Sequence, residues 1–433
     1  MSKIIFSLRY GKGSVEFSIP EEQLLCVIEG KDYPGLPDVP SALKHAMEHP
    51  IDAPPLREII KPDDKVALVV SDITRTWQKM PLALPVIINT LNQAGVPDEN
   101  ITILIAVGGH RSNTQDEFVE ICGQEVCRRI KVINHEATDH DNMVYLGKTS
   151  FGTEVSVNRI VVEADKVILT GGIIYHYMVG YGGGRKSVLP GVSSLKTIQQ
   201  NHLHAMSYEV GGGSNRKSVS RVLEGNNTHH DMMEIAAFIS PDFIINVVPN
   251  PAGEIAGIFA GNWVSAWQRG TQLVDEIYGV KIESKADIVI STCGGYPKDI
   301  NLYQTGKTMD NAFYAVKDGG VVIILSECQD IMEPFEFTQW FKHETILEME
   351  LALRQNFTIP GWVAFKEVEC AMNGTYILVT KPENFDLIRK ARLIPVATIE
   401  EAIAIAYEKC GTAQPKVTVM PQGANTLPIL CNY

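Results

Sequence analysis

The eight cysteines, Cys26, Cys122, Cys127, Cys293, Cys328, Cys370, Cys410 and Cys431, include no C-x-x-C pair. That speaks against a disulfide framework and a thiolate zinc site, and leaves reduced, mostly structural thiols. Long apolar runs are missing too. The opening MSKIIFSLRYGKGS has no apolar core of signal-peptide length and no later run approaches a membrane span, so a cytoplasmic protein with no membrane partner is expected. Positive charge is in deficit: 38 Lys and Arg against 51 Asp and Glu give a formal charge of −13, which disfavours nucleic acid or an anionic membrane as partner. A small anionic substrate stays open, because local Arg and Lys can invert the potential inside one cleft. No fixed-period repeat or low-complexity tract interrupts the chain.

What is present reads as an α/β protein of two domains, each with a largely parallel sheet flanked by helices. The 433 residues, 45% of them hydrophobic, exceed what one core usually organises. Weak alternation over residues 4–8 and 15–19 predicts an N-terminal hairpin. Apolar runs at 65–70, 101–107, 130–133 and 166–170 then read as buried strands. Each ends in polar chemistry: Asp72-Ile73-Thr74-Arg75, Gly109-His110-Arg111, His135-Glu136, and a glycine-rich segment. Ligands gather beyond the carboxyl ends of strands in open parallel sheets, so these distant loops are expected to converge. Thr114 and Glu117 have capping-box spacing for a helix start. Gly211-Gly212-Gly213 reads as a surface loop, and helices follow near 232–238 and 263–277. Fresh alternation from Ala286 opens a second domain, giving expected divisions of 1–275, 276–412 and a tail, 413–433.

Residues 170–202, TGGIIYHYMVGYGGGRKSVLPGVSSLKTIQQNH, carry the most unusual chemistry. Gly180, Gly182, Gly183 and Gly184 bare the backbone for close approach of an anion, and Arg185 and Lys186 add positive charge. A phosphate-binding P-loop is excluded, because Arg185 separates the last glycine from Lys186-Ser187 and Pro190 follows too soon for a long helix. His110 and His176 both lie just past predicted strand ends. An isolated loop histidine is more often solvated or bonded to backbone, but two in glycine-bearing strand-end loops favour proton chemistry. His135, His140, His229 and His230 lack such context and read as surface residues.

The run HYMVGYGGGRKSVLPG, with a His sixteen positions after its Lys, resembles the nickel-pincer-nucleotide family of 2-hydroxyacid racemases and epimerases typified by lactate racemase. Asp72 to Arg75, Gly109 to Arg111 and Tyr303-Gln304-Thr305-Gly306-Lys307 fall in matching order. The resemblance implies a site in a cleft between the two domains and a tail returning to the first. It implies a nickel-pincer nucleotide, pyridinium-3-thioamide-5-thiocarboxylic acid mononucleotide, attached covalently at Lys186, with His202 completing the coordination of nickel. It makes His110 and His176 the acid/base pair, with Arg75 and Lys307 on the substrate carboxylate and Asp72 orienting its neighbours. Tyr303, Gln304 and Trp362 would also face substrate. Backbone N–H groups of Gly182, Gly183 and Gly184, with Arg185, would hold the nucleotide phosphate. His204 is left a supporting or structural role. The implied partners are a small 2-hydroxy acid and cofactor-maturation enzymes, with a homodimer left open.

The chemistry is consistent with this. The C2 proton of a 2-hydroxy acid is weakly acidic, so inversion is easier if that hydrogen leaves as hydride to a cofactor while a base takes the hydroxyl proton. Acting on both enantiomers requires a base on each face, and histidine suits. Lactate is the default substrate, with a longer hydroxy acid or a sugar acid as runner-up. A non-catalytic nucleotide- or anion-binding protein and a metal-dependent hydrolase are the readings from other classes.

Overall fold

Lys3–Tyr10 (β1) and Gly13–Pro20 (β2) form the hairpin their alternation predicts, with Phe6 opposite Phe17, and a short strand, Leu24–Val27 (β3), follows. The computed structural model describes residues 2–431. Next come Val66–Ser71 (β4), Ile101–Ala106 (β5), Lys131–Asn134 (β6), the hairpin Met143–Lys148 (β7) and Glu154–Asn158 (β8), and Lys166–Gly172 (β9). Two-residue strands Tyr175–His176 (β10) and Gly180–Tyr181 (β11) precede Phe243–Pro249 (β12) and Ile255–Gly261 (β13). Beyond them lie Gly279–Ile282 (β14), Ala286–Thr292 (β15), Val316–Leu325 (β16), Thr375–Val379 (β17), Ile394–Val396 (β18), Val417–Met420 (β19) and Leu427–Leu430 (β20).

One unit comprises Asp32–Ala205 and Asn215–Ile277. Its sheet runs β13-β12-β9-β4-β5-β6, parallel except for the edge strand β13. The helix Met80–Gln93 starts with Pro81 in its first turn, where no backbone N–H is needed. Its Leu84, Ile87, Ile88 and Leu91 recur at helical spacing and join Leu68, Val70, Ile103 and Ile105 in one core. Each such burial contributes roughly 1.5–3 kcal/mol. The predicted capping box is formed by Thr114 and Glu117 at the start of the helix Gln115–Cys122. β4 lies between β9 and β5, and the chain runs outward from β4 to β6 before crossing back to β9. This reversal opens a crevice at the carboxyl ends of β4 and β9.

The other unit holds the chain up to Lys31, Met206–Ser214 and everything from Tyr278. Its sheet, β18-β17-β16-β15-β19-β3, is parallel throughout. Two expected divisions are corrected. The N-terminal segment belongs here, because β3 pairs with β19 and Leu8, Phe17 and Ile19 of the hairpin join Ile290, Ile323 and Val419 in the core. The tail also stays here, with β19 paired to β15 and β20 to β14, so it does not return to the first domain. Alternation marks a strand but says nothing of which open edge it will join. The triglycine is exposed as expected at Gly211 and Gly212, yet it is pinned: Glu350 accepts from the N–H of Gly211 and Gly213 at 2.9 and 3.3 Å. Among the described residues no helix is long and apolar enough to cross a membrane.

Candidate active site

The turn after β4 is organised by Asp72, which is buried. Its Oδ1 accepts from Thr74 N at 3.2 Å and Thr74 Oγ1 at 2.5 Å, and its Oδ2 lies 2.6 Å from His110 Nδ1 at the end of β5. Burial pushes the Asp72 carboxyl up, but the hydrogen bonds from His110 and Thr74 and the charge of Arg75 outweigh it and hold the group below its ordinary range. The carboxylate fixes the orientation of the His110 ring, and the half-exposed imidazole is left with Nε2 for proton transfer. Arg75 donates to Thr74 O and Oγ1 at 3.1 and 2.9 Å and is otherwise exposed.

Beyond β9, the β10–β11 hairpin pairs His176 with Gly180. Tyr175 and Tyr181 both donate their hydroxyls to Asp275 Oδ1, at 2.8 and 2.7 Å, which rivets the hairpin in place. Burial and Asp275 push both phenols well above their ordinary range, so they remain donors. His176 Nδ1 accepts from Met178 N–H at 3.2 Å, and its Nε2 lies 3.1 Å from Lys186 Nζ. A peptide N–H can only donate, so the neutral ring carries its proton on Nε2 and the Lys186 amine is the acceptor. Burial, with Arg185 and Arg75 nearby, lowers Lys186 to about 7. Burial holds His176 well below its usual range, and positive charge on Lys186 or His202 when protonated, and on Arg75 and Arg185, acts in the same direction.

The glycine loop closes in a single tight turn, Gly184–Ser187, and the next long helix begins only at Leu195, in keeping with the exclusion of a P-loop. Gly183 and Gly184 have φ of +67° and +57°, and a Cβ on them would come within 2.5 Å of Asn246 and 2.7 Å of Trp267. Those neighbours brace the loop: Asn246 Oδ1 accepts from Gly184 N, and Trp267 Nε1 donates to Gly182 O, each at 2.8 Å. Two expectations are corrected. The N–H groups of Gly182 and Gly184 are already bonded, to Ile174 O and Asn246, which narrows any phosphate cradle. Arg185 is only 1% exposed and points inward, donating to Val179 O and Tyr181 O at 2.7 and 2.8 Å while lying 4.1 Å from the Trp267 ring centre. Its role is to hold the loop from within, and burial lowers it to about 9.

His202 lies near the end of the helix Leu195–Leu203 and is 2% exposed. Its Nδ1 donates to Ile198 O at 2.9 Å, so the neutral ring carries its proton on Nδ1 and its basic nitrogen is Nε2, the tautomer a metal-binding histidine needs. Burial and Lys186 lower it to about 3, so the ring is neutral and able to coordinate. Lys186, His176, His202 and Arg75 therefore share one electrostatic environment, and Asp72 and His110 join it through the Arg75 turn. Among the described residues no group of three or more His, Cys, Asp or Glu is set to hold a metal ion. The chain thus offers a metal one imidazole beside one uncharged amine, a donor set that suits a metal whose remaining ligands arrive on a group joined at Lys186.

The other histidines divide. His140 and His230 are exposed as expected, but His135 and His229 are buried. His135 bonds to Ser193 O at 2.9 Å and Asn158 at 3.2 Å, and burial lowers its pKa. His229 stacks on Trp267 with 5.7 Å between ring centres, and burial with Arg185 lowers it to about 2. His204 sits 3.8 Å from Asp231 and packs edge-on to Phe151, a structural placement.

In the C-terminal unit, Tyr303, Gln304 and Lys307 occupy the first turns of the helix Leu302–Phe313, capped by Asn301, which accepts from Gln304 N at 3.0 Å. Lys307 Nζ donates to Gln304 Oε1 at 2.8 Å, and Tyr303 packs against Phe337. Trp362 is 0% exposed, so the indole expected beside substrate has no open surface in this structure. Sequence reasoning missed Asp275, Asn246 and Trp267. Asn246 alone gave a signal, as a polar residue inside an apolar strand.

Residues 10–212 match the lactate racemase N-terminal domain, and residues 281–427 match the lactate racemase C-terminal domain. The chain is 31% identical over 425 residues to a lactate racemase of Thermoanaerobacterium thermosaccharolyticum, spanning 96% of this chain and 97% of that protein. It is 30% identical over 440 residues to a lactate racemase of Lactiplantibacillus plantarum, spanning 98% and 99%. Among solved structures, the lactate racemase apoprotein from Thermoanaerobacterium thermosaccharolyticum is similar with a TM-score of 0.88 at 28% identity, over 98% of this chain and all of that one. A protein from Thermotoga maritima shares the fold, with a TM-score of 0.65 at 17% identity over 92% of this chain. The matched domains cover most of the chain in the expected order, and the chain belongs to the lactate racemase family.

Proposed function

We propose that this chain is an isomerase that inverts C2 of a 2-hydroxy acid, lactate first among them, with a nickel-pincer nucleotide carried on Lys186 and nickel also bound by His202. The observation that carries the reading is the Lys186–His176 contact at 3.1 Å, beside a buried His202 whose Nδ1 is already engaged. When bound, the nucleotide supplies a reversible acceptor for hydride from C2. The chain's residues do the rest. His110, oriented by Asp72, exchanges the hydroxyl proton for one enantiomer, and His176 does so for the other. Arg75 grips the substrate carboxylate by its planar fork. The Asn246 and Trp267 bonds hold the glycine loop so that the Lys186 amine keeps its place.

Loading depends on maturation enzymes that supply the nucleotide. The test is therefore co-expression with such enzymes, intact mass and nickel analysis, and chiral assay over a panel of 2-hydroxy acids. The reading predicts a mass adduct lost in Lys186→Ala and formation of the opposite enantiomer from at least one acid. An adduct that persists in Lys186→Ala, or a loaded chain that inverts none of the panel, overturns it.

A further inference from the structure

The helix that carries His202 is unusually polar. In LKTIQQNHL, the buried residues are Thr197, Ile198, Asn201 and His202, a set too poor in apolar side chains to seat a helix by hydrophobic contact alone. Buried hydrogen bonds do that work. Thr197 Oγ1 donates to Glu154 O at 2.8 Å and accepts from Ser156 N at 3.0 Å, which fastens the helix to β8. Asn201 Nδ2 donates to Thr228 O at 3.1 Å and to Asp231 Oδ2 at 2.8 Å, while its own Oδ1 has no hydrogen-bond partner. Asn201 is thus held through its amide nitrogen.

Asp231, on the helix Asn227–Ile239, is fully buried, and its carboxylate also accepts from Thr149 Oγ1 at 2.5 Å and Thr153 Oγ1 at 2.8 Å in the β7–β8 turn. His204 Nε2 lies 3.8 Å from it. One buried acceptor therefore gathers a hairpin turn, a second helix, and residues on both sides of His202. A buried carboxylate is tolerated where its lone pairs are met by donors, and here those donors come from the elements that flank the nickel ligand.

We propose that Asp231 is a positioning residue for the metal: acting through Asn201, it fixes the helical turn that carries His202 and so sets where the imidazole Nε2 meets nickel. The proposal rests on the reading of His202 as a nickel ligand.

The test uses the chain loaded by co-expression with maturation enzymes, with nickel followed by elemental analysis during dialysis against EDTA. Asp231→Asn keeps the side-chain volume but replaces the charged acceptor of the Asn201 bond by a neutral, weaker one. Asn201→Ala removes the link, together with the bond to Thr228 O, leaves Asp231 with both threonines, and decides the matter if Asp231→Asn does not fold. The expected result is an unchanged Lys186 adduct by intact mass, a folded Asn201→Ala whose melting temperature falls only modestly with its lost hydrogen bonds, and nickel loss about 10- to 100-fold faster, the range for residues that orient metal ligands. Nickel loss at the wild-type rate in a folded variant overturns the proposal. So does a parallel fall in adduct and melting temperature, which marks a general structural clamp. His202→Ala separates the two levels: if it too keeps nickel as wild type does, the ligand reading has failed. Rapid loss from His202→Ala alone defeats only the role of Asp231.

Discussion

The amine of Lys186 lies 3.1 Å from His176 Nε2, and because Met178 N–H occupies Nδ1, the lysine is the acceptor in that contact. A lysine that accepts is uncharged, in line with the lowering to about 7 by burial and the neighbouring arginines. In the unloaded chain, acylation of Lys186 by a limiting amine reagent should reach half its maximum near pH 7, roughly three units below a free lysine. Peptide mass spectrometry reads the profile. His176→Phe keeps the burial but removes the N–H donor, and should move the midpoint upward.

The Asp72–His110 contact at 2.6 Å gives a second expectation. Asp72→Asn retains the shape but allows the other tautomer and orientation of His110. In the loaded chain kcat should fall about 10²- to 10⁴-fold with little change in KM. Steady-state kinetics from both enantiomers checks this, and a change confined to KM would contradict it.

Arg185 yields a stability prediction. A lysine there has a single nitrogen in place of the two that reach Val179 O and Tyr181 O and cannot stack its charge flat on Trp267, so Arg185→Lys should lower the unfolding free energy by about 3 kcal/mol. Denaturant titration of the unloaded chain measures it. An unchanged midpoint would mean the guanidinium does not brace the loop.

His202 makes stability depend on pH. Its pKa is 6.5 when unfolded and about 3 when folded, so between these values the unfolded chain binds more protons, and stability falls as pH drops through the window. His176, also lowered, adds in the same direction. His202→Gln should flatten the decline by about 1.4 kcal/mol per pH unit, the value for one proton. Urea titrations of the unloaded chain at pH 6.5, 5.5 and 4.5 provide the comparison.

Much of the site was legible because it sits where apolar runs stop: Asp72, His110 and the glycine loop each follow a strand whose residues are buried on both faces. Burial of particular histidines was not. Nothing local distinguishes His229, stacked on Trp267, from its exposed neighbour His230, since the ring it meets comes from a distant helix. Arg185 looked like a phosphate ligand because a positive charge beside glycines suggests one, and only the path of the backbone shows the guanidinium turned inward to Val179 and Tyr181. The placement of the N-terminal hairpin and of the tail depended on which sheet edge was open at β19, a long-range fact that no window of sequence contains.

Inversion through hydride transfer retains the hydrogen of C2 in the product. The decisive measurement gives the loaded protein one enantiomer of lactate deuterated at C2, in ordinary water, and examines the opposite enantiomer by chiral separation and mass spectrometry. Hydride return leaves the deuterium in the inverted product. Inverted product in which solvent hydrogen has replaced it would rule hydride return out.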